Sequence, residues 1–185
     1  SQTIFTVWLH LLQKVFTSLC GRKVLRFKGL GMAVPIISIV GRANVGKSTL
    51  FNKLTQSRSA IVNDTPGVTR DRIYGATDFQ NRSVIVVDTG GVDVDKKNKI
   101  ELQVIEQAQW ARDEADSVIV VVDNQTGLTG TDREMISQIR KSGKSLFLAI
   151  NKVDLPSQHF ILPEFSELGL ENMFPISAEH GHGLY

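Results

Sequence analysis

The chain has 185 residues, 42% hydrophobic and 22% charged, an ordinary globular composition long enough for one well-cored domain. The formal charge of +2 hides an asymmetry: residues 1–31 hold Lys14, Arg22, Lys23, Arg26 and Lys28 with no acid, so 16 basic residues face 19 acidic ones from Met32 onward. That mildly acidic remainder lacks the broad basic face of a stand-alone nucleic-acid binder. The single cysteine, Cys20, excludes an intramolecular disulfide and suits a reducing compartment such as the cytoplasm.

In residues 1–31 the apolar run Ile4 to Leu12 is far too short to span a membrane. The segment reads as an upstream extension; a transit segment and a surface-seeking docking helix are the alternatives. A secretory signal would need charge before the apolar run, and Ser1 to Thr6 has none. The globular part is expected to run from Met32 to Tyr185.

Ile36 to Val40 is a short β-branched apolar run, the pattern of a buried strand. Gly41-Arg42-Ala43-Asn44-Val45-Gly46-Lys47-Ser48-Thr49 follows, and then Leu50, Phe51 and Leu54 at helical spacing. G-x-x-x-x-G-K-S between a strand and a helix is the context of a phosphate-binding P-loop; the competing reading is a chance glycine turn. Its glycines let backbone N–H groups turn inward, and the helix aims its positive end at the same point. Lys47 can reach the β- and γ-phosphates, and the Ser48 hydroxyl can ligate Mg2+.

Ser57 to Tyr74 is a long polar loop containing Asp64-Thr65-Pro66-Gly67-Val68-Thr69-Arg70-Asp71-Arg72; long loops in compact domains are usually functional. A strand over Ile73 to Phe79, a hairpin-like turn at Gln80-Asn81-Arg82 and a buried strand over Ser83 to Val87 lead to Asp88-Thr89-Gly90-Gly91. Asp88 can hold Mg2+ through water, and the Gly91 amide can meet the γ-phosphate. A charged loop, Val92 to Asn98, precedes a predicted helix over Ile100 to Glu114, with Leu102, Ile105, Ala108 and Trp110 as core candidates. Val118 to Val122 reads as a strand. Capping signals at Thr131 to Glu134 open a helix with Met135, Ile136 and Ile139 on its apolar face, stopped by Gly143. Ser145 to Ile150 is a strand ending in Asn151-Lys152-Val153-Asp154; Pro163 to Leu168 is a short helix; Asn172 to Ile176 is a last strand ending at Ser177-Ala178-Glu179.

Strands alternate with helices and the polar motifs fall at strand C-termini. The expected fold is therefore an α/β P-loop NTPase domain: a mostly parallel, doubly wound sheet with its ligand at the carboxyl edge and one antiparallel edge strand at the Gln80 turn. Asp154 is an acceptor suited to the two N–H groups on one edge of guanine, and a mismatched base would leave buried groups unpaired. Alone, N-K-x-D is more often a turn former; after a P-loop and D-x-x-G it points to guanine nucleotide. None of His10, His159, His180 or His182 has partners at zinc-ligand spacing.

These motifs, with Val34-Pro35-Ile36 and the 64–72 stretch, resemble the EngA (Der) family of ribosome-assembly GTPases, specifically the first of that family's two tandem G domains, over roughly residues 34–185. The resemblance implies a Mg2+-dependent, slow GTPase cycling between GTP and GDP in large-subunit assembly, and no membrane. It makes Thr69 the switch I threonine that closes on Mg2+, with Thr65 less favoured, and residues 92–99 switch II. It also makes Ser177-Ala178 the loop that packs on guanine. The family continues into a second G domain and a KH-like domain, so ribosome or ribosomal RNA contacts are expected of domains beyond this stretch; the helix closing the first domain is expected to begin where the chain stops, at Gly183-Leu184-Tyr185. Where many small GTPases place a water-orienting glutamine after D-x-x-G, this chain has Val92, and no arginine finger can be assigned although Arg70 and Arg72 lie in switch I. In related potassium-activated GTPases an asparagine at the position of Asn44 helps hold K+ beside the phosphates, so the catalytic set implied is Lys47, Thr69, Gly91 and Asn44; the plainer role of Asn44 is to stabilise the loop turn. Two other functions compete: a nucleotide-gated binding module with little hydrolysis, and an adenine-nucleotide kinase, which Asn151 to Asp154 disfavours.

Overall fold

The computed structural model describes residues 13–15, 17, 34–55, 73–79, 82–90, 109–111, 113–153 and 163–179. Within them the elements run β1 (Ile36–Val40), α1 (Lys47–Thr55), β2 (Ile73–Phe79), β3 (Arg82–Asp88), β4 (Ser117–Asp123), α2 (Gly130–Lys141), β5 (Ser145–Asn151), α3 (Pro163–Ser166) and β6 (Met173–Pro175). The six strands form one sheet in the order β2-β3-β1-β4-β5-β6. All neighbours are parallel except β2 and β3, whose antiparallel register ends in the pair Phe79 and Arg82. The expected sheet and its antiparallel edge are both present.

The central strands are buried on both faces, which is why they read as unbroken apolar runs rather than alternating ones. All five residues of β1 and all seven of β4 are buried. Period-2 geometry sorts their side chains between two cores. Ile37, Ile39, Ile119, Val121, Phe147 and Ala149 pack with Leu50, Phe51 and Leu54 of α1. Val40, Val118, Val120, Val122, Leu148 and Ile150 pack with Met135, Ile136 and Ile139 of α2. Among residues 1–31, the described 13–15 and 17 are helical, and Val15 is fully buried in the α1-side core.

Several boundaries differ from the sequence reading, and β3, β4 and β5 each extend a residue beyond the predicted runs. The helix after β4 opens earlier than Thr131: Thr129 is its N-cap, accepting the Asp132 amide on its hydroxyl while the Asp132 side chain accepts the Thr129 amide. The reciprocal pair satisfies two otherwise orphaned donors and fixes the start. α3 is one turn rather than six residues, and β6 spans three residues rather than five. Of the predicted 100–114 helix, residues 109–111, 113 and 114 are helical and Trp110 is half-buried, its ring edge-on to Tyr74; Leu102, Ile105 and Ala108 lie outside the described residues.

Candidate functional site

Parallel strands align their carboxyl ends, and that edge gathers the chemistry. β1 runs into the 41–48 loop, β3 ends at Asp88, and β4 and β5 end at Asp123 and Asn151, which are paired in register. The loop backbone needs unusual conformations. Gly46 has φ +97, and a Cβ there would run into the Asn151 side-chain amide. Asn44 also has positive φ, +62, a region that asparagine enters more readily than most residues. Ala43, Asn44, Ser48 and Thr49 are exposed along the rim, whereas Val45 and Lys47 are buried.

Lys47 opens α1 and is 7% exposed. Its Nζ donates to the Arg42 carbonyl at 2.6 Å and lies against Gly90, where an added Cβ would strike the lysine side chain. Burial pulls its pKa below the usual lysine value, Asp88 opposes that pull, and Arg42 adds to it. The ammonium is thus poorly solvated and tethered beside a loop of open backbone, an arrangement that favours an incoming anion. Asp88 is fully buried; its Oδ1 accepts the Gly90 amide at 2.9 Å and its Oδ2 accepts the Ser48 hydroxyl at 2.8 Å. Two hard oxygens from a hydroxyl and a carboxylate, so close together at the mouth of a phosphate-binding loop, fit Mg2+, which takes oxygen ligands and keeps several waters. Ser48 and Asp88 would hold it, directly or through water. Thr89 serves the backbone instead, its hydroxyl donating to the Ile39 carbonyl at 2.8 Å and pinning the 88–90 turn onto β1.

At the other end Asn151 joins two motifs. Its Nδ2 donates to the Val45 carbonyl at 2.8 Å, and its Oδ1 accepts the Ala178 amide at 2.9 Å. A single buried amide therefore fixes the phosphate loop and the 177–178 loop relative to one another; Ser177 and Ala178 are themselves buried. Lys152, in positive φ at +66, extends Nζ to Asp123 Oδ2 at 2.6 Å. Burial pushes the Asp123 carboxyl up, but hydrogen bonds from Lys152 and from the Gln125 and Thr126 amides outweigh it and leave the group below the usual carboxylate range.

The structure thus brings together Gly41 to Ser48, Asp88 to Gly90, Asn151, Lys152, Ser177 and Ala178. Thr69, Gly91, Val92, Asp154 and both proposed switches lie outside the described residues. Three contributors escaped the sequence reading: Asp123, Asp132 and Thr126. Asp132 takes Arg42 Nε at 2.9 Å on each carboxylate oxygen, and Thr126 takes the same guanidinium at 3.1 Å. The T-x-x-D pattern at Thr129 signals a capping box, but nothing in one sequence says that the same carboxylate also meets the P-loop arginine. Among the described residues no cluster of His, Cys, Asp and Glu could hold a metal by itself, and no helix is long and apolar enough to cross a membrane.

Residues 36–152 match the model of a family described as 50S ribosome-binding GTPase. The chain is 51% identical over 150 residues to GTPase Der of Caldicellulosiruptor saccharolyticus, covering 81% of the chain and 34% of the relative. It is 49% identical over 153 residues to GTPase Der of Clostridium novyi, covering 83% and 35%. The chain therefore spans about a third of the length of these curated relatives. Among solved structures, Aquifex aeolicus Era bound to GDP.AlF4- superposes with a TM-score of 0.62 at 32% identity, over 83% of this chain and 54% of that one. Era in complex with MgGDPNP and nucleotides 1506–1542 of 16S ribosomal RNA gives 0.63 at 31%, over 82% and 53%.

Proposed function

Since the chain belongs to the 50S ribosome-binding GTPase family and carries a G domain of the kind found in GTPase Der, we propose that it is the first G domain of such a protein. In this reading it is a Mg2+-dependent switch that binds and slowly hydrolyses GTP during large-subunit assembly in the cytoplasm. The observation that supports this best is the Lys47, Ser48 and Asp88 cluster at the carboxyl edge of a parallel sheet, with Asn151 tied to the same loop. Arg42, Ala43, Asn44, Val45, Gly46 and Thr49 would line the phosphates, and Asp88 to Gly91 the γ-phosphate side. Asn151, Lys152, Asp154, Ser177 and Ala178 would surround guanine, with Asp154 reading its N–H edge. Thr69 would close on the metal with Ser48 and Asp88.

The residues of this chain hold and orient the nucleotide; the metal, when bound, adds charge neutralisation between phosphates. With Val92 after D-x-x-G, the water must be oriented or the developing charge offset by another group. Asn44 stands at the exposed rim of the loop and could present its side-chain oxygen to K+ there. Contacts with ribosomal RNA are assigned to parts of the protein beyond this chain; the Era complex with 16S ribosomal RNA is a structural neighbour that makes RNA a reasonable partner class. The test is competition of GTP and ATP for the site, followed by phosphate release from GTP with Mg2+. ATP displacing a fluorescent GDP as well as GTP does would refute the guanine assignment. Tight GTP binding without turnover would leave a nucleotide-gated binding module, the reading that Val92 favours.

A further inference from the structure

Arg42 occupies the second position of the P-loop, yet its side chain serves a part of the chain outside every nucleotide motif. Its Nε lies 2.9 Å from both oxygens of Asp132, and its terminal nitrogen donates to the Thr126 hydroxyl at 3.1 Å. Asp132 is completely buried, and only 20% of the Arg42 side chain is exposed. A carboxylate taken out of water must be both paired and hydrogen-bonded to be tolerated. The Thr129 amide and hydroxyl satisfy its lone pairs, and Arg42 supplies the countercharge. Meanwhile the backbone carbonyl of the same arginine accepts the Lys47 ammonium at 2.6 Å. One residue is thus clamped at its side chain to the start of α2 and tethers the phosphate-binding lysine at its main chain.

We propose that Arg42 and Asp132 form a buried positioning pair that fixes the peptide at 42 against the β4–α2 junction. The Arg42 carbonyl then holds Lys47 where the phosphates bind. Thr126 and Asp132 act on nucleotide retention through this arginine although neither belongs to a nucleotide motif. A charge-assisted contact in a low-dielectric setting is stiff, and a small displacement of an anchoring group is enough to weaken a phosphate contact. The pair serves a site that binds guanine nucleotide, so wild-type binding of fluorescent GDP is measured first, and its absence would fail the nucleotide reading rather than the pair.

The experiment measures the dissociation rate of fluorescent GDP and the urea midpoint of the nucleotide-free chain for Arg42→Gln, Asp132→Asn, their double variant and Thr129→Ala. Arg42→Gln and Asp132→Asn should each speed GDP release roughly ten-fold, a loss equivalent to about 1.4 kcal/mol. The double variant should be no faster than the worse single one. Thr129→Ala removes the cap but leaves the arginine and its carboxylate; it should lower the urea midpoint with GDP release unchanged. If Asp132→Asn does not fold, Arg42→Gln against Thr129→Ala decides the matter. The proposal is overturned if Arg42→Gln releases GDP within two-fold of wild type, if Thr129→Ala accelerates release equally, or if the two single effects add in full.

Discussion

Replacing Asn151 tests whether one buried amide holds the two ends of the nucleotide site together. The side chain is 4% exposed and makes two hydrogen bonds, 2.8 Å to the Val45 carbonyl and 2.9 Å from the Ala178 amide. Val45 and Ala178 are themselves buried, so neither backbone group gains easy access to water when the partner is removed. A buried donor or acceptor left unpaired costs about 1–3 kcal/mol. Asn151→Ala leaves one of each, so about 2–6 kcal/mol should be lost, a large share of the ~5–15 kcal/mol that a domain has. Asn151→Asp is the sharper variant. It keeps the shape and the acceptor for Ala178 but turns a carboxylate oxygen toward the Val45 carbonyl, so at neutral pH it should be at least as destabilising as alanine. Urea unfolding of the nucleotide-free chain reads both, and GDP affinity should fall in parallel because the loop carrying Gly46 loses its brace. A loss below about 1 kcal/mol for Asn151→Ala, or an Asn151→Asp chain as stable as wild type, would refute the bridge.

At the phosphate end, Lys47→Ala and Ser48→Ala should each weaken Mg2+-dependent GTP binding by roughly ten-fold to a hundred-fold, as expected for removal of a charge-assisted contact; calorimetric titration with and without Mg2+ checks this, and a Ser48→Ala loss equal in EDTA would argue against a metal ligand. The Asp123 carboxyl is held low in the folded chain, so its contribution is present above the unfolded value of about 3.9 and disappears as pH falls through the folded value. Asp123→Asn should therefore reduce urea stability at pH 6 but less at pH 3, and an equal gap at both would reject the coupling to Lys152. Asp154→Asn should lower affinity for GTP and raise it for xanthosine triphosphate, whose base offers a carbonyl in place of the guanine amino group; unchanged GTP affinity would remove Asp154 from the base site. GTP turnover should be faster in K+ than in Na+ at equal ionic strength, with the difference abolished by Asn44→Ala; equal rates in the two salts would end the potassium role.

What the sequence makes legible here follows from the range of the interactions involved. The strands flanking the P-loop are readable because burial on both faces demands unbroken β-branched runs, and Ile36 to Val40 and Val118 to Val122 supply them. The motif residues are readable because phosphate chemistry constrains spacing along the chain: Lys47 and Ser48 are adjacent, and Asp88 needs only to end a neighbouring strand. Asn151 looks like part of a base-reading motif, yet its side-chain partners are the Val45 carbonyl and the Ala178 amide, 106 and 27 residues away. Arg42 looks like an interchangeable position of G-x-x-x-x-G-K-S, but it meets Asp132 across 90 residues. Such pairings depend on which strand ends the sheet order sets side by side, and β1 next to β4 next to β5 is not written in any local pattern. The consequence is a division of labour within the site. Residues that face the nucleotide obey short-range spacing rules, whereas residues that stiffen the loop behind it are recruited from wherever the topology brings a buried donor or carboxylate into hydrogen-bond reach. A variant that spares every motif can therefore still loosen the site, and Asp132, fully buried and bonded to the P-loop, is where that should first be seen.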